Sequence, residues 1–414
     1  MATNKEQNKL NVPHLRFPEF HGEWDKCKVS DLLDFYSTNS LSWEQLEYGT
    51  DNMLNLHYGL IHVGLPTMVD LSKDILPAIK KENEPKNFEL CKEGDIAFAD
   101  ASEDTNEVAK AIEFYTLEDK AVVCGLHTIH GRDKSNKTVV GYKGYAFSST
   151  AFHHQIRRIA QGTKIYSIST KNFAECYIGI PSKGEQTKIA KLLRLIDERI
   201  ATQSKLIEKF ESLIKGINQE VFNEVGCSHK LGNICEIKSG YSGNQLIKKE
   251  GLKVSRIETI SGHQINLERV GYVSPFKNSE SYKLQVGDIL FSNINSVEYI
   301  GNTAFVDKDY DLYHGMNLLR LIPNSKIVVP FYLYLLLNTR KMLNRFKTIC
   351  NKAVSQASIN QTDLGKTIIV LPSLENQIKI CTIYEVLFSK IEAEKNCLSL
   401  YNVQKQYLLR QMFI

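Results

Sequence analysis

The sequence predicts an α/β chain of the mixed α+β kind, in which two similar domains are each followed by a long helix and the two helices pair within the chain. Three observations predict it. The chain repeats itself over a long period, each copy ends in a heptad-like apolar seam, and short strand-like runs separated by Gly, Asn and Asp precede each seam.

The repeat comes first because it organises everything else. Ile180-Pro181-Ser182-Lys183-Gly184-Glu185-Gln186-Thr187-Lys188-Ile189 aligns with Leu371-Pro372-Ser373-Leu374-Glu375-Asn376-Gln377-Ile378-Lys379-Ile380 at an offset of 191 (372 − 181). The offset runs on without a gap, placing Ile200 on Ile391, Phe210 on Tyr401 and Phe222 on Phe413, and runs back to Ser167-Ile168 on Ser358-Ile359. Farther upstream, Gly94-Asp95-Ile96-Ala97-Phe98 matches Gly287-Asp288-Ile289-Leu290-Phe291 at an offset of 193. Two long copies of one unit differ from the short period of a solenoid.

In the first copy the seam runs Ile189, Leu193, Ile196, Ile200, Gln203, Ile207, Phe210, Ile214, Ile217, Val221, and the steps alternate four and three. The second runs Ile380, Tyr384, Leu387, Ile391, Glu394, Leu398, Tyr401, Lys405, Leu408, Met412, with its polar break at Glu394 on the repeat-equivalent of Gln203. Pro181-Ser182 and Pro372-Ser373 stand where a fixed φ and a capping hydroxyl suit a helix start. About 38 residues per helix, or ~57 Å, exceed what one small domain covers, which favours pairing of the helices with each other. Val254-Ser255-Arg256-Ile257 and Lys366-Thr367-Ile368-Ile369-Val370 read as strands. The expected division is a polar tail at 1–11, domain one at 12–180, helix one at 182–223, domain two at 226–371 and helix two at 373–414.

Composition narrows the class. The chain has 414 residues, 43% of them hydrophobic, which supports two or three domains with real cores and excludes disorder, collagen and a small disulfide scaffold. Nine cysteines without a C-x-x-C pair suit reduced thiols in a cytoplasmic protein. The most apolar run, 327–337, falls short of the ~18–20 residues of a bilayer span. With Pro330 at a first turn and Arg340, Lys341 and Arg345 beyond, it reads as a buried helix with a basic end.

The sequence contains no G-x-x-x-x-G-K-[ST] phosphate loop, no G-x-S-x-G elbow, no H-E-x-x-H pair and no Pro-Pro, which leaves ATPase, hydrolase, zinc-protease and amino-methyltransferase chemistry without their signatures. No Pro-Asp precedes an acidic-x-Lys, so a nuclease core of that type is also unsupported. His127, His130, His153 and His154 lack partners at finger-like spacing and are expected as surface or loop residues, with no metal site. His57 and His62 lack a nucleophile, and no catalytic residue is assigned.

A net charge of only +4 means that nucleic-acid binding would rest on local surfaces. Residues 80–120 carry 12 acidic against 6 basic side chains, whereas 121–195 carry 12 basic against 3 acidic. In the second copy, Arg320, Lys326, Arg340, Lys341, Arg345, Lys347 and Lys352 precede the first acid, Asp363. Polar loops follow both basic stretches, Gln161-Gly162-Thr163-Lys164 in one and Lys352-Ala353-Val354-Ser355-Gln356 in the other. Gln can pair with adenine, and Lys or Arg with guanine or phosphate. A basic face duplicated at matching positions points to nucleic acid rather than to plain solvation.

Taken in order, Pro13 to Trp24, Leu56-His57-Tyr58-Gly59, the two Gly-Asp-Ile-x-Phe strands and the two Pro-Ser-x-x-x-Gln-x-Lys-Ile helix starts resemble the DNA specificity (S) subunits of type I restriction–modification systems across essentially the whole chain. The resemblance implies two target-recognition domains, each reading one half of an interrupted double-stranded DNA site, separated by two long antiparallel helices in a pseudo-twofold layout. It implies docking of two methyltransferase (M) subunits and of restriction (R) motor-nuclease subunits, no membrane role, and S-adenosylmethionine, ATP and Mg²⁺ held by those partners, with no cofactor in this chain. DNA-contact candidates are Arg157, Arg158, Thr163 and Lys164 in domain one, and Arg256, Asn293, Lys352, Ser355 and Gln356 in domain two. Tyr142 to Phe152, with its Gly and Ser, departs from the helical second copy. The competing expectations are a coiled-coil adaptor whose domains bind proteins, and an enzyme acting through His57 or His62.

Overall fold

A computed structural model describes residues 11–50, 52–222, 226–353 and 356–414. The chain divides into two compact units, Met1–Lys205 with Lys395–Ile414, and Leu206–Glu394.

In the first unit, the strand of the Gly-Asp-Ile-x-Phe motif (Ile96–Ala99) is central to a five-stranded sheet ordered Leu33–Tyr36, Thr128–Asp133, Ile96–Ala99, Ala111–Thr116, Met68–Asp70. Its alternation explains its unbroken apolarity. Ile96 and Phe98 enter one core with Tyr142, Phe147 and Leu193, while Ala97 and Ala99 enter another with Leu56, Ile112 and Cys124. Gly94 at φ +83° makes the turn into this strand, a conformation that favours glycine. A second sheet is ordered Val122–Cys124, Leu54–Leu56, Ala78–Ile79, Leu46–Glu47.

The stretch expected to depart from the helical pattern is itself helical, at Lys143–Phe147 and Thr150–Ile159. Ser149 provides the reason, because its hydroxyl accepts from Phe152 N and caps the second helix, while Gly144 packs where a Cβ would lie 2.4 Å from the Met68 side chain. Phe98 and Phe152 then meet Phe147 edge to face, at 4.9 Å and 4.8 Å, and Phe173 stacks on Phe147.

The second unit repeats this plan. Ile289–Phe291 lies between Leu319–Pro323 and Thr303–Phe305, with Cys235–Ser239 beyond, and Gly287 at φ +96° again precedes the strand. Helices Pro330–Leu337, with Pro330 in the first turn, and Arg340–Ile349, capped by Thr339, follow. Tyr332, Leu333 and Leu335–Leu337 are buried, and among the described residues no helix is long and apolar enough to cross a membrane. Strand Leu252–Val254 ends before Arg256, which begins a 3₁₀ turn at Ile257–Ile260 rather than continuing the strand.

The long helices span Lys183–Val221 and Leu374–Gln411. Each is anchored to its domain by the Gln of the repeated motif, which is buried in both copies. Gln186 accepts from Val139 N at 2.9 Å and donates to Pro181 O at 2.9 Å; Gln377 accepts from Val329 N at 2.9 Å and donates to Pro372 O at 2.9 Å. In the first unit the helices run antiparallel, Lys405 meeting Asp197 at 2.7 Å and Arg199 meeting the Tyr401 hydroxyl at 3.4 Å. In the second, Tyr384 donates to Asn218 and packs on Phe222. Seam residues Ile189, Leu193, Ile196, Ile207, Ile391 and Leu408 are buried, and Ile200, Phe210, Ile214, Ile217, Ile380, Leu387, Leu398 and Tyr401 are half-buried.

Candidate nucleic-acid interface

In domain one the basic helix Thr150–Ile159 buries Phe152 and Ile156 and turns Arg157 and Arg158 to solvent in its last turn, where the helix dipole favours cations. The Arg157 guanidinium donates to Asn106 Oδ1 at 3.3 Å and lies 3.3 Å from His154 Nδ1. It borders a cavity of about 440 Å³ that Asn106, Glu107, Lys110, His153 and Lys405 also line. Burial, aided by the charge of Arg157, pushes His153 down to about 4, so its imidazole is neutral at neutral pH.

A tight hairpin follows this helix. Gln161 N reaches Ser167 O at 2.9 Å and Ser167 N reaches Gln161 O at 2.8 Å. Gly162, at φ +138°, is required there because a Cβ would stand 1.9 Å from Ile165 O. Thr163 and Lys164 occupy the exposed tip. Tyr166–Ser167 pairs antiparallel with Ala101–Ser102, just beyond the Gly-Asp-Ile-x-Phe strand.

Domain two builds the same device. Helix Arg340–Ile349 buries Met342 and Phe346, and a hairpin then pairs Asn351–Lys352 with Ala357–Ser358. Ala357–Ser358 pairs in turn with Ile294–Asn295, again just after the corresponding strand. Ala353 N donates to Gln356 O at 2.8 Å and closes the tip, with Lys352 and Gln356 exposed. Ser355 lies outside the described residues.

Of the other two candidates, Asn293 extends this ladder and Arg256 stands apart from it. Asn293 is tied to the backbone of Ile359, donating from Nδ2 at 3.3 Å and accepting Ile359 N on its carbonyl at 2.9 Å. Arg256, at the start of its 3₁₀ turn, is exposed and pairs with Glu258 at 3.4 Å. The histidines divide differently from the surface expectation. His130 is fully buried and bonded to Asp95 at 2.8 Å, because it stands opposite Ala97, whose face of the sheet packs against the second sheet, while His127 and His154 are exposed. His57 is buried and caps a short helix by accepting Gly59 N; burial, then the charge of His127, lowers its pKa. His62 is half-buried and bonds Ala101 O at 2.9 Å.

Sequence reasoning missed that Lys110, His153 and Lys405 gather with Arg157, which only the fold brings about, and that Trp43, His57 and Tyr58 form an aromatic group, with ring centroids 4.4 and 4.7 Å apart. It also missed why Asp follows Gly in the repeated motif. Asp95 bonds Lys92 N, His130 and Arg132, and although burial opposes its charge, the His130 and Arg132 bonds hold its pKa below the ordinary value. Asp288 bonds Gln285 N and pairs with Arg320 at 2.6 Å, yet burial prevails there and its pKa is raised.

The sequence matches the family model described as the type I restriction modification DNA specificity domain twice, over residues 68–212 and 228–399. It is 41% identical over 188 residues to a Methanocaldococcus jannaschii protein named for the specificity subunit of type I restriction enzyme MjaX, covering 44% of each chain. It is 22% identical over 300 residues to the type I restriction enzyme EcoKI specificity subunit of Escherichia coli K12, covering 66% of this chain and 64% of that one. The alignments therefore span less than two thirds of either relative's length. In fold, the chain is similar to the type-I restriction-modification S subunit from M. genitalium, with a TM-score of 0.57 at 18% identity over 97% of this chain and 99% of that one.

Proposed function

The chain belongs to the type I restriction–modification DNA specificity family, and on that premise we propose that it is the non-catalytic DNA-reading subunit of such a complex, each domain binding one half of an interrupted double-stranded site. One observation carries the reading: both units place a polar, basic hairpin tip at the same point of the repeat, after a hydroxyl-capped basic helix and against the strand that follows Gly-Asp-Ile-x-Phe. Thr163 and Lys164 in one tip, Lys352 and Gln356 at the other, and Ser355, next to Gln356 in the sequence, contact bases or phosphates. Arg157 and Arg158 hold the phosphate backbone. The sequences of the two tips differ, so the half-sites differ.

The paired helices set the gap between half-sites, as dimer geometry sets half-site spacing in other DNA readers. Two methyltransferase subunits dock on the chain and restriction subunits join them. S-adenosylmethionine, ATP and Mg²⁺ belong to those partners, consistent with a sequence that lacks the phosphate loop and the amino-methyltransferase signature. Docking is supported by apolar side chains left exposed on the second long helix, Leu400 at 68% and Val403 at 64%. The target adenine is flipped into the partner's pocket, and this chain positions that partner in the cytoplasm.

The test is adenine-methylation mapping by single-molecule sequencing, in a host free of other modification systems that expresses the chain with its cognate methyltransferase. The expected result is a bipartite motif with a fixed gap that vanishes without this chain. Methylation that is absent or independent of the chain, from a complex shown to assemble, refutes the reading in favour of a protein-binding adaptor.

A further inference from the structure

We propose that Cys91, Cys124 and His130 form a buried binding site for a soft closed-shell cation, Zn²⁺ or Cu⁺, inside domain one. Their ligand atoms lie within 4.8 Å of one another, and all three residues are buried. Three separate backbone segments converge to make the group. Cys91 is held against strand Val122–Cys124 by its N–H to Val122 O at 2.8 Å, Cys124 ends that strand, and His130 sits in the neighbouring sheet opposite Ala97 and Tyr36.

The sulfurs are 3.6 Å apart. Two thiolates on one tetrahedral Zn²⁺ at ~2.3 Å each would stand about 3.8 Å apart, so metal binding needs almost no movement. A disulfide needs ~2.05 Å and would require the two segments to close up. Two thiolates also neutralise a divalent ion, so the loaded site buries no net charge of its own.

The imidazole gives the independent sign of a ligand. His130 is 0% exposed; its Nε2 is bonded to Asp95 Oδ2 at 2.8 Å, while Nδ1 is buried without a hydrogen-bond partner. An orphaned buried acceptor costs about 1–3 kcal/mol. A carboxylate that fixes one ring nitrogen and leaves the other lone pair free is the usual support of a metal-bound histidine. Asp95 is itself fixed by Arg132, through Nε and Nη2 at 2.8 Å each, and Arg132 lies over the Tyr36 ring at 4.6 Å.

The second copy shows that the fold does not require this group. By strand pairing, the place of His130 opposite Ala97 is taken by Arg320 opposite Leu290. The carbonyl of Cys124, which accepts from Asn39 N, corresponds to that of His314, which accepts from Tyr241 N. Three residues before the turn glycine, Leu284 stands where Cys91 stands. With Arg320 bonding Asp288 directly, domain two closes the same corner without thiols. In domain one the ion would clamp the turn Gly125–His127, from which His127 projects at φ +54° to meet Asp100 at 3.2 Å.

The test is elemental analysis of the untagged full-length chain purified under reducing conditions, by inductively coupled plasma mass spectrometry. About one equivalent of zinc or copper per chain is expected, and the element found identifies the ion. Cys91→Ala and Cys124→Ala should reduce it to background, while Cys27→Ala and Cys176→Ala, which remove buried thiols outside the group, should leave it unchanged. Should the site variants fail to fold, X-ray absorption on the wild-type chain decides, two sulfurs and one nitrogen in the first shell supporting the site. A wild-type chain that stays metal-free after reconstitution with Zn²⁺ and with Cu⁺ overturns the proposal. So does metal retained by both folded site variants, or a Cys91–Cys124 disulfide in the unreduced peptide map.

Discussion

Replacing Lys143 by Met isolates one buried charge whose consequences can be worked out from the structure. Lys143 and Glu113 are 3% and 0% exposed and pair at 3.1 Å. Glu113 also accepts Gly141 N at 2.9 Å and Gly144 N at 2.8 Å, which fixes the segment leading into the basic helix Thr150–Ile159. Without the ammonium, Glu113 has two options. Kept ionised, it is an uncompensated buried charge costing roughly 3–5 kcal/mol. Folded as the neutral acid at pH 7, it costs about 1.36 × (7 − 4.5) ≈ 3.4 kcal/mol against an unfolded chain whose glutamate titrates at 4.5. The cheaper option sets the ceiling, and since Glu113 is already raised in the wild type part of that cost is present there too, so Lys143→Met loses at most about 3 kcal/mol at neutral pH.

The pH dependence follows in sign. Burial already raises Glu113 in the folded protein, against the pull of Lys143, and the variant raises it further. Stability from such a group is complete below 4.5 and is lost as pH rises through the folded value, by ~1.36 kcal/mol per unit. Near pH 5 the deficit shrinks to no more than about 0.7 kcal/mol by the same arithmetic. Urea unfolding of wild type and variant at pH 5 and pH 7, followed by circular dichroism, measures both. A deficit equal at the two values, or larger in acid, refutes the reasoning.

Lys164→Ala should weaken binding to all DNA sequences alike and lower the slope of log K against log salt by about one, read by fluorescence anisotropy across a salt series; an unchanged slope removes it from the phosphate contacts. Gln186→Leu strands Val139 N, Pro181 O and Lys137 O at the helix start and should cost about 1–3 kcal/mol in urea titrations, and a neutral result would show that water replaces the amide. Burial pushes both His153 and His314 down to about 4, so an unfolded chain takes up their protons first, and their contribution is complete above 6.5 and lost as pH falls toward 4. Histidine NMR titrations with midpoints near 6.5 would contradict their burial.

Local order was legible wherever a short motif does a local job. Pro-Ser-x-x-x-Gln marked both helix starts, although what Gln does became visible only when Gln186 and Gln377 met the carbonyls and amides of their domains. The basic tips were legible as duplicated polar loops, because each lies between two strands that are close in sequence, Gln161 bridging Ser167 and Asn351–Lys352 pairing with Ala357–Ser358. Tyr142 to Phe152 was misjudged from its Gly and Ser content, since cap chemistry at Ser149 and the packing of Phe147 and Phe152 override propensity. His130 was misplaced because sequence cannot tell a strand that faces water from one beneath a second layer.

By itself the sequence determined what is periodic or repeated: two copies of one domain, two long helices, and a basic loop in each copy at one point of the repeat. Those features are encoded by neighbours in the chain, through 3.6-residue and two-residue periods and caps within one turn. Only the tertiary structure decided which distant side chains share a site. Cys91, Cys124 and His130 span 39 positions (130 − 91) yet lie within 4.8 Å, and Arg157 reaches Asn106 across 51. Such encounters depend on strand order and on which face of a sheet is covered, and no spacing along the chain records either.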